Sequence, residues 1–126
     1  MANDMCFACG PKNPIGLKLK FGWQGAEYGS KLEILEQYQG WAGIAHGGIL
    51  STALDEVMAR LVIDTGHQAI TARLEVRFIK PARVGETIAL RARITRERGR
   101  LIETEARALA ADGAVIAEAK ATSLCV

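Results

Sequence analysis

Aromatic residues are scarce in this chain. Two Trp, two Tyr and three Phe make up 6% of its 126 residues. Cysteine is scarcer, at three. An odd number of thiols cannot all pair within one chain, which excludes a disulfide scaffold and favours a reducing compartment. Surplus charge of one sign is also missing. Sixteen Lys and Arg face fourteen Asp and Glu for a net charge of +2, which leaves no basic footprint for nucleic acid or an anionic membrane. The uncharged run from Gln37 to Leu54 is broken by Gly40, Gly43, His46, Gly47 and Gly48. It falls short of the ~20 apolar residues that a span needs. Residues 1–5 lack the basic and apolar regions of an export signal. A cytoplasmic protein without membrane or nucleic-acid partners is therefore expected.

What is present is apolar residue and glycine. A hydrophobic fraction of 49% is too high for a disordered chain, and 126 residues suit one domain. From Gly48 to about Asp64 the pattern is helical. Ile49, Ala53, Val57 and Leu61 form one row, and Leu50, Leu54, Met58 and Val62 form the next. Two adjacent rows predict a helix buried over more than half its girth. Gly66 stands where a helix stop belongs.

Downstream the period becomes two. Ile70, Ala72, Leu74, Val76 and Phe78 alternate with Thr71, Arg73, Glu75 and Arg77. Similar alternation runs from Ile88 to Ile94, from Ile102 to Ala110, and from Val115 to Leu124 after the Asp112-Gly113 turn. Leu17–Phe21 and Tyr28–Leu35 predict two weaker strands ahead of the helix. The class is α+β, an antiparallel β-sheet wrapped around one long central helix in the order β-β-α-β-β-β-β. Alanines at 106, 108, 117, 119 and 121 would let that helix approach closely.

Chemistry points to Gly43-Ile-Ala-His46-Gly47-Gly48 and the helix behind it. Glycines before a helix leave its first N–H groups uncovered, with the positive end of the helix dipole behind them. Such an end can hold an oxyanion, although the same glycines also suit a plain tight turn with His46 as a cap. Glu56 has Arg60 four residues on, the orientation of a surface ion pair. Asp55 has no such cation and lies at the margin of the apolar stripe. A poorly hydrated, unpaired carboxyl resists ionisation, which suits a general base or nucleophile and equally a structural hydrogen bond.

The sequence resembles the hotdog-fold acyl-CoA thioesterases of the PaaI-like, phenylacetate-pathway group. The resemblance rests on Cys6-Phe-Ala-Cys-Gly-Pro-Lys-Asn-Pro-Ile-Gly-Leu17, on Gly43-Ile-Ala-His-Gly-Gly48 with Asp55 nine residues after His46, and on Thr71–Phe78 leading to Lys80-Pro81 and Val84-Gly85-Glu86. It implies a single hotdog domain over residues 1–126, with 1–15 as an N-terminal lead-in. It also implies that Asp55 activates water or attacks the thioester carbonyl. The Gly47-Gly48 turn would polarise the thioester oxygen, His46 would shape the turn or add a hydrogen bond, and Thr71 would help hold the water. Two protomers are implied, with the glycine turn of one opposite the helix of the other, and these could pair into a dimer of dimers. Many members carry an asparagine six residues before the histidine. Here that place is Gly40, and Gln39 beside it could supply an amide.

Trp41 and Met58 are candidates to line an acyl pocket. Lys80, Arg83, Arg98 and Arg100 cluster at strand ends and could meet the phosphates of coenzyme A, which enters as part of the substrate rather than as a cofactor. Cys6 and Cys9 have zinc-knuckle spacing, but only Cys125 and two histidines remain as partners. Local packing, with no metal, is the expectation. A non-catalytic acyl-CoA sensor and a hydratase or dehydratase are the competing functions. The second needs His and carboxylate to act together, and His46 is better placed for the turn.

Overall fold

A computed structural model describes residues 3–126. The elements are β1 (Gly22–Gln24), β2 (Glu27–Glu33), a 3-10 turn (Glu36–Tyr38), α1 (Gly47–Asp64), β3 (Ala69–Phe78), β4 (Thr87–Arg98), β5 (Leu101–Leu109) and β6 (Val115–Cys125). All strand pairs are antiparallel, in one sheet of order β1-β2-β4-β5-β6-β3. The sheet packs around α1, which is the hotdog arrangement.

The helix begins where its sequence allows. His46 is extended (φ −63°, ψ 134°) and its Nδ1 accepts the Gly48 N–H at 2.8 Å, a side-chain cap. It ends at Gly66, whose φ of +99° is easy only for glycine. Both predicted apolar rows turn inward, with seven of their residues buried and Ile49 half-buried at the N-terminal end. Opposite them lie Ile88, Leu90 and Ala92 of β4 and the alanines of β5 and β6, all buried. Small side chains there let the backbone of the sheet come close to the helix, and each large buried side chain contributes about 1.5–3 kcal/mol.

Two strand expectations need correction. Residues Leu17–Phe21 do not form a strand, because Lys18 takes φ +54° and the first strand starts at Gly22. Leu17 and Leu19 are still buried, and their N–H groups bond to Phe7 O (2.9 Å) and Ala8 O (3.0 Å). They pin the N-terminal segment to the core instead of pairing in the sheet. The second correction concerns β3. Thr71 is opposite Ser123, but Arg73 is opposite Thr122, so Ala72 is an extra residue and makes a β-bulge. The bulge reverses the alternation. Thr71 shares the inner face with Leu74, Val76 and Phe78, whose partners Ala121, Ala119 and Ala117 are buried, while Ile70 turns outward. Because β3 is the last strand of the sheet, Ile70 is 55% and Phe78 53% exposed. Among the described residues no helix is long and apolar enough to cross a membrane.

Candidate active site

The turn ahead of α1 is braced from several sides. The Gln39 carboxamide donates to Glu36 O (2.7 Å) and accepts the Gly43 N–H (2.5 Å), so both of its ends are committed within the loop. The His46 N–H bonds to Tyr38 O (2.7 Å) and the Ala45 N–H to Ala82 O (2.8 Å). With the Gly48 N–H held by His46, the Gly47 N–H has no acceptor among the described residues. It is the free donor at the positive end of the helix. Close approach explains the glycines. A Cβ at position 48 would stand 3.0 Å from His46 Nδ1, and one at 47 would stand 3.3 Å from the Phe78 ring. An open concavity lined by Gly40, Trp41, Ala42, Ala45, His46 and Gly47 faces outward from this turn.

Two turns along the helix, Asp55 is half-buried and accepts a 3.0 Å hydrogen bond from Thr71 Oγ1. The β3 bulge makes this contact possible, by turning Thr71 toward the helix. No cation pairs with Asp55 among the described residues. Burial raises its pKa, the Thr71 bond pulls it down, and the neighbouring Glu56 charge raises it again; the net direction is upward. The carboxyl is therefore oriented, desolvated and reluctant to ionise.

Glu56 does not pair with Arg60 as its spacing suggests. Arg60 reaches Asp64 at 3.7 Å and lies over the Phe21 ring at 5.0 Å, while Glu56 Oε2 accepts from Cys6 Sγ at 3.4 Å. Tyr28 also donates to Asp64, which occupies that carboxylate. Cys6 Sγ, Cys9 Sγ and a Glu56 oxygen gather within 4.8 Å of one another, a set of atoms able to ligate a metal.

The remaining candidates divide. Trp41 is 85% exposed beside the glycine turn. Met58 is 1% exposed within the core cluster and lines no open surface of the chain. Lys80 and Arg83 are exposed near the turn, where Arg83 bridges Ile44 and the Val84 N–H bonds to Gly43 O at 3.0 Å. Arg98 and Arg100 lie at the other end of the sheet, where Leu101 is opposite Leu124 and the Arg100 guanidinium donates to Cys125 O. The four basic residues thus form two groups rather than one cluster. Sequence reasoning missed the Phe78 ring against Gly47 and the Glu56 contact with Cys6, both of which join residues far apart in the chain.

The family model described as thioesterase superfamily matches residues 42–117, from the glycine turn into β6. Mouse acyl-coenzyme A thioesterase 13 is 26% identical over 69 residues, 53% of this chain and 49% of that protein. The chain therefore spans about half the length of the curated relatives it matches. A crystal structure of a thioesterase superfamily protein has a TM-score of 0.89 at 24% identity, over 96% of this chain and 60% of that one. A phenylacetic acid degradation-related protein from Ralstonia eutropha JMP134 has a TM-score of 0.77 at 26% identity, over 86% and 85% of the two chains. With a matched segment longer than half of the sequence, carrying the turn, the helix and the Thr71 strand, the chain belongs to the thioesterase superfamily.

Proposed function

We propose that this protein hydrolyses acyl-CoA thioesters at a site built from two copies of the chain. The observation that carries this reading is the Thr71–Asp55 hydrogen bond on a half-buried carboxylate that no cation among the described residues neutralises. Asp55 takes a proton from water as the water oxygen adds to the thioester carbonyl carbon. The Gly47 N–H, at a helix N-terminus, donates to the carbonyl oxygen as it gains negative charge. The carbonyl re-forms as the C–S bond breaks, and the departing thiolate takes the proton that Asp55 received from water. The products are a carboxylic acid and coenzyme A. Direct attack by Asp55 on the same carbon, followed by hydrolysis of the resulting anhydride, uses the same groups. His46 caps the turn that presents the donor, and Gln39 holds the loop rather than reaching for substrate.

Geometry supports the second copy. Asp55 lies eight residues after Gly47, about 12 Å along the helix and about 80° around it. One carbonyl and its attacking oxygen do not span that separation within a chain. In addition β3 is an edge strand, with Leu74 and Phe78 exposed on its inner face and Ile70 exposed on its outer face beside Leu124 of β6, an edge that another chain can cover. Substrate phosphates would meet Lys80 and Arg83 beside the turn, with Trp41 against the thioester end of the ligand. A cytoplasmic setting accords with the three free thiols.

Release of free thiol from a panel of acyl-CoA esters tests the reading. Asp55→Asn is expected to lower kcat by about 10²–10⁴-fold. Tight binding of the panel without turnover would favour a sensor instead.

A further inference from the structure

Three ligating side chains lie together away from the glycine turn. Cys6 Sγ and Glu56 Oε2 are 3.4 Å apart, and Cys9 Sγ completes a group within 4.8 Å. Around a tetrahedral Zn(II), with Zn–S near 2.3 Å and Zn–O near 2.0 Å, a sulfur and an oxygen ligand stand roughly 3.5 Å apart and two sulfurs about 3.8 Å. The Cys6–Glu56 pair already holds that spacing, and Cys9 Sγ is within about an ångström of it.

The backbone under the cysteines is fixed. The Gly10 N–H bonds to Cys6 O at 2.8 Å and closes the Cys6–Gly10 turn. A Cβ at Gly10 would lie 2.4 Å from Cys6 N and 2.5 Å from Asp4 O, so no other residue fits there. Ala8 is buried in the core, which locks the turn against the rest of the chain. Both thiols are thereby presented to the part of α1 that carries Glu56.

Charge also favours a cation. Two thiolates and a carboxylate around a divalent ion leave one negative charge. The positive charge of Arg60 acts on Cys9 and can offset it. The Arg60 Nε is buried without a partner among the described residues, a donor well suited to an anionic sulfur.

We propose that Cys6, Cys9 and Glu56 bind one Zn(II), with solvent as fourth ligand, and so clamp the N-terminal segment onto α1 one residue from Asp55. On binding, the two thiol protons leave to solvent and no electron is transferred. The cysteines lie outside residues 42–117, so this clamp is an addition to the part that the family model matches. It also departs from the packing role expected from sequence, because the third ligand is 50 residues away and the sequence does not signal it.

The test uses the full chain, reduced and stripped by chelator, titrated with Co(II) and then Zn(II). The wild type is expected to take one Co(II) per chain, with thiolate charge-transfer absorption and the visible bands of a tetrahedral centre, both erased by Zn(II). Cys6→Ser or Cys9→Ser should lose half or more of the charge-transfer absorption, and Glu56→Gln, which removes a direct ligand, should weaken Zn(II) binding by at least the roughly tenfold that loss of an outer-shell partner costs. Cys125→Ser should bind as the wild type does. Absence of thiolate–cobalt absorption in the reduced wild type, or unchanged affinity in Glu56→Gln, would overturn the proposal. So would a metal-free protein two hydrogens lighter through a Cys6–Cys9 disulfide. None of these readouts depends on thioester hydrolysis.

Discussion

Thr71 Oγ1 donates a 3.0 Å hydrogen bond to Asp55 Oδ1, joining the edge strand of the sheet to its central helix. The bond stabilises the carboxylate, while burial and Glu56 destabilise it more. The acid limb of kcat/KM should therefore lie above the ~3.9 of an unperturbed aspartate. Thr71→Val removes the opposing hydrogen bond, so the limb should move to still higher pH. A pH–rate profile of the two proteins checks this, and an unmoved limb would separate Thr71 from Asp55 ionisation.

The same carboxyl should cost stability near neutral pH. Its folded pKa is raised, so its stabilising contribution is complete below the unfolded value and is lost as pH rises through the folded one. Asp55→Asn keeps an acceptor for Thr71 without the charge. Thermal unfolding is expected to show a higher Tm for Asp55→Asn at pH 7, with the gain shrinking toward pH 4. An equal Tm at both would mean that the ionised carboxyl is not penalised.

The His46 cap gives a prediction about folding. His46→Ala frees the Gly48 N–H and should cost about 0.5–2 kcal/mol, whereas Asn at the same place can cap and should recover most of it. Denaturant melts of both variants measure the difference. If alanine and asparagine behave alike, the imidazole is not a cap that matters.

Much of this could be read along the chain. The two apolar rows of α1, the stop at Gly66, the Asp112-Gly113 turn and the alanines facing the helix all follow from local spacing. The glycine turn and Asp55 were also legible, because a helix start and a lone carboxylate in an apolar stripe are local features. What was not legible depends on partners distant in sequence. The extra residue at Ala72 shows only when β3 pairs with β6, and it alone brings Thr71 to Asp55. Likewise Lys18 breaks a strand that alternation suggested, because Leu17 and Leu19 bond to Phe7 and Ala8 instead. The apparent Glu56–Arg60 pair yielded to Cys6 on one side and Asp64 on the other.

The exposed edge should be an interface. Ile70 faces outward on β3 beside Leu124, and both are exposed in the single chain. Ile70→Lys is expected to shift sedimentation from dimer toward monomer and to lower activity in the same proportion. A fully active monomer would contradict a shared site.

The shared site is tested most directly by mixing two inactive chains. Gly47→Pro deletes the donor N–H while suiting the first turn of a helix; the half-exposed Phe78 ring must shift slightly to admit its Cβ, and His46 already has the extended conformation that precedes proline. Its partner in the mixture is Asp55→Asn. After denaturation and joint refolding at equal amounts, half the dimers are mixed, and each holds one site with both Asp55 and the Gly47 N–H intact. Thiol release should return to about a quarter of the wild-type rate per chain. If the mixture stays as inactive as its components while dimers form, Asp55 and Gly47 do not serve one thioester from two chains.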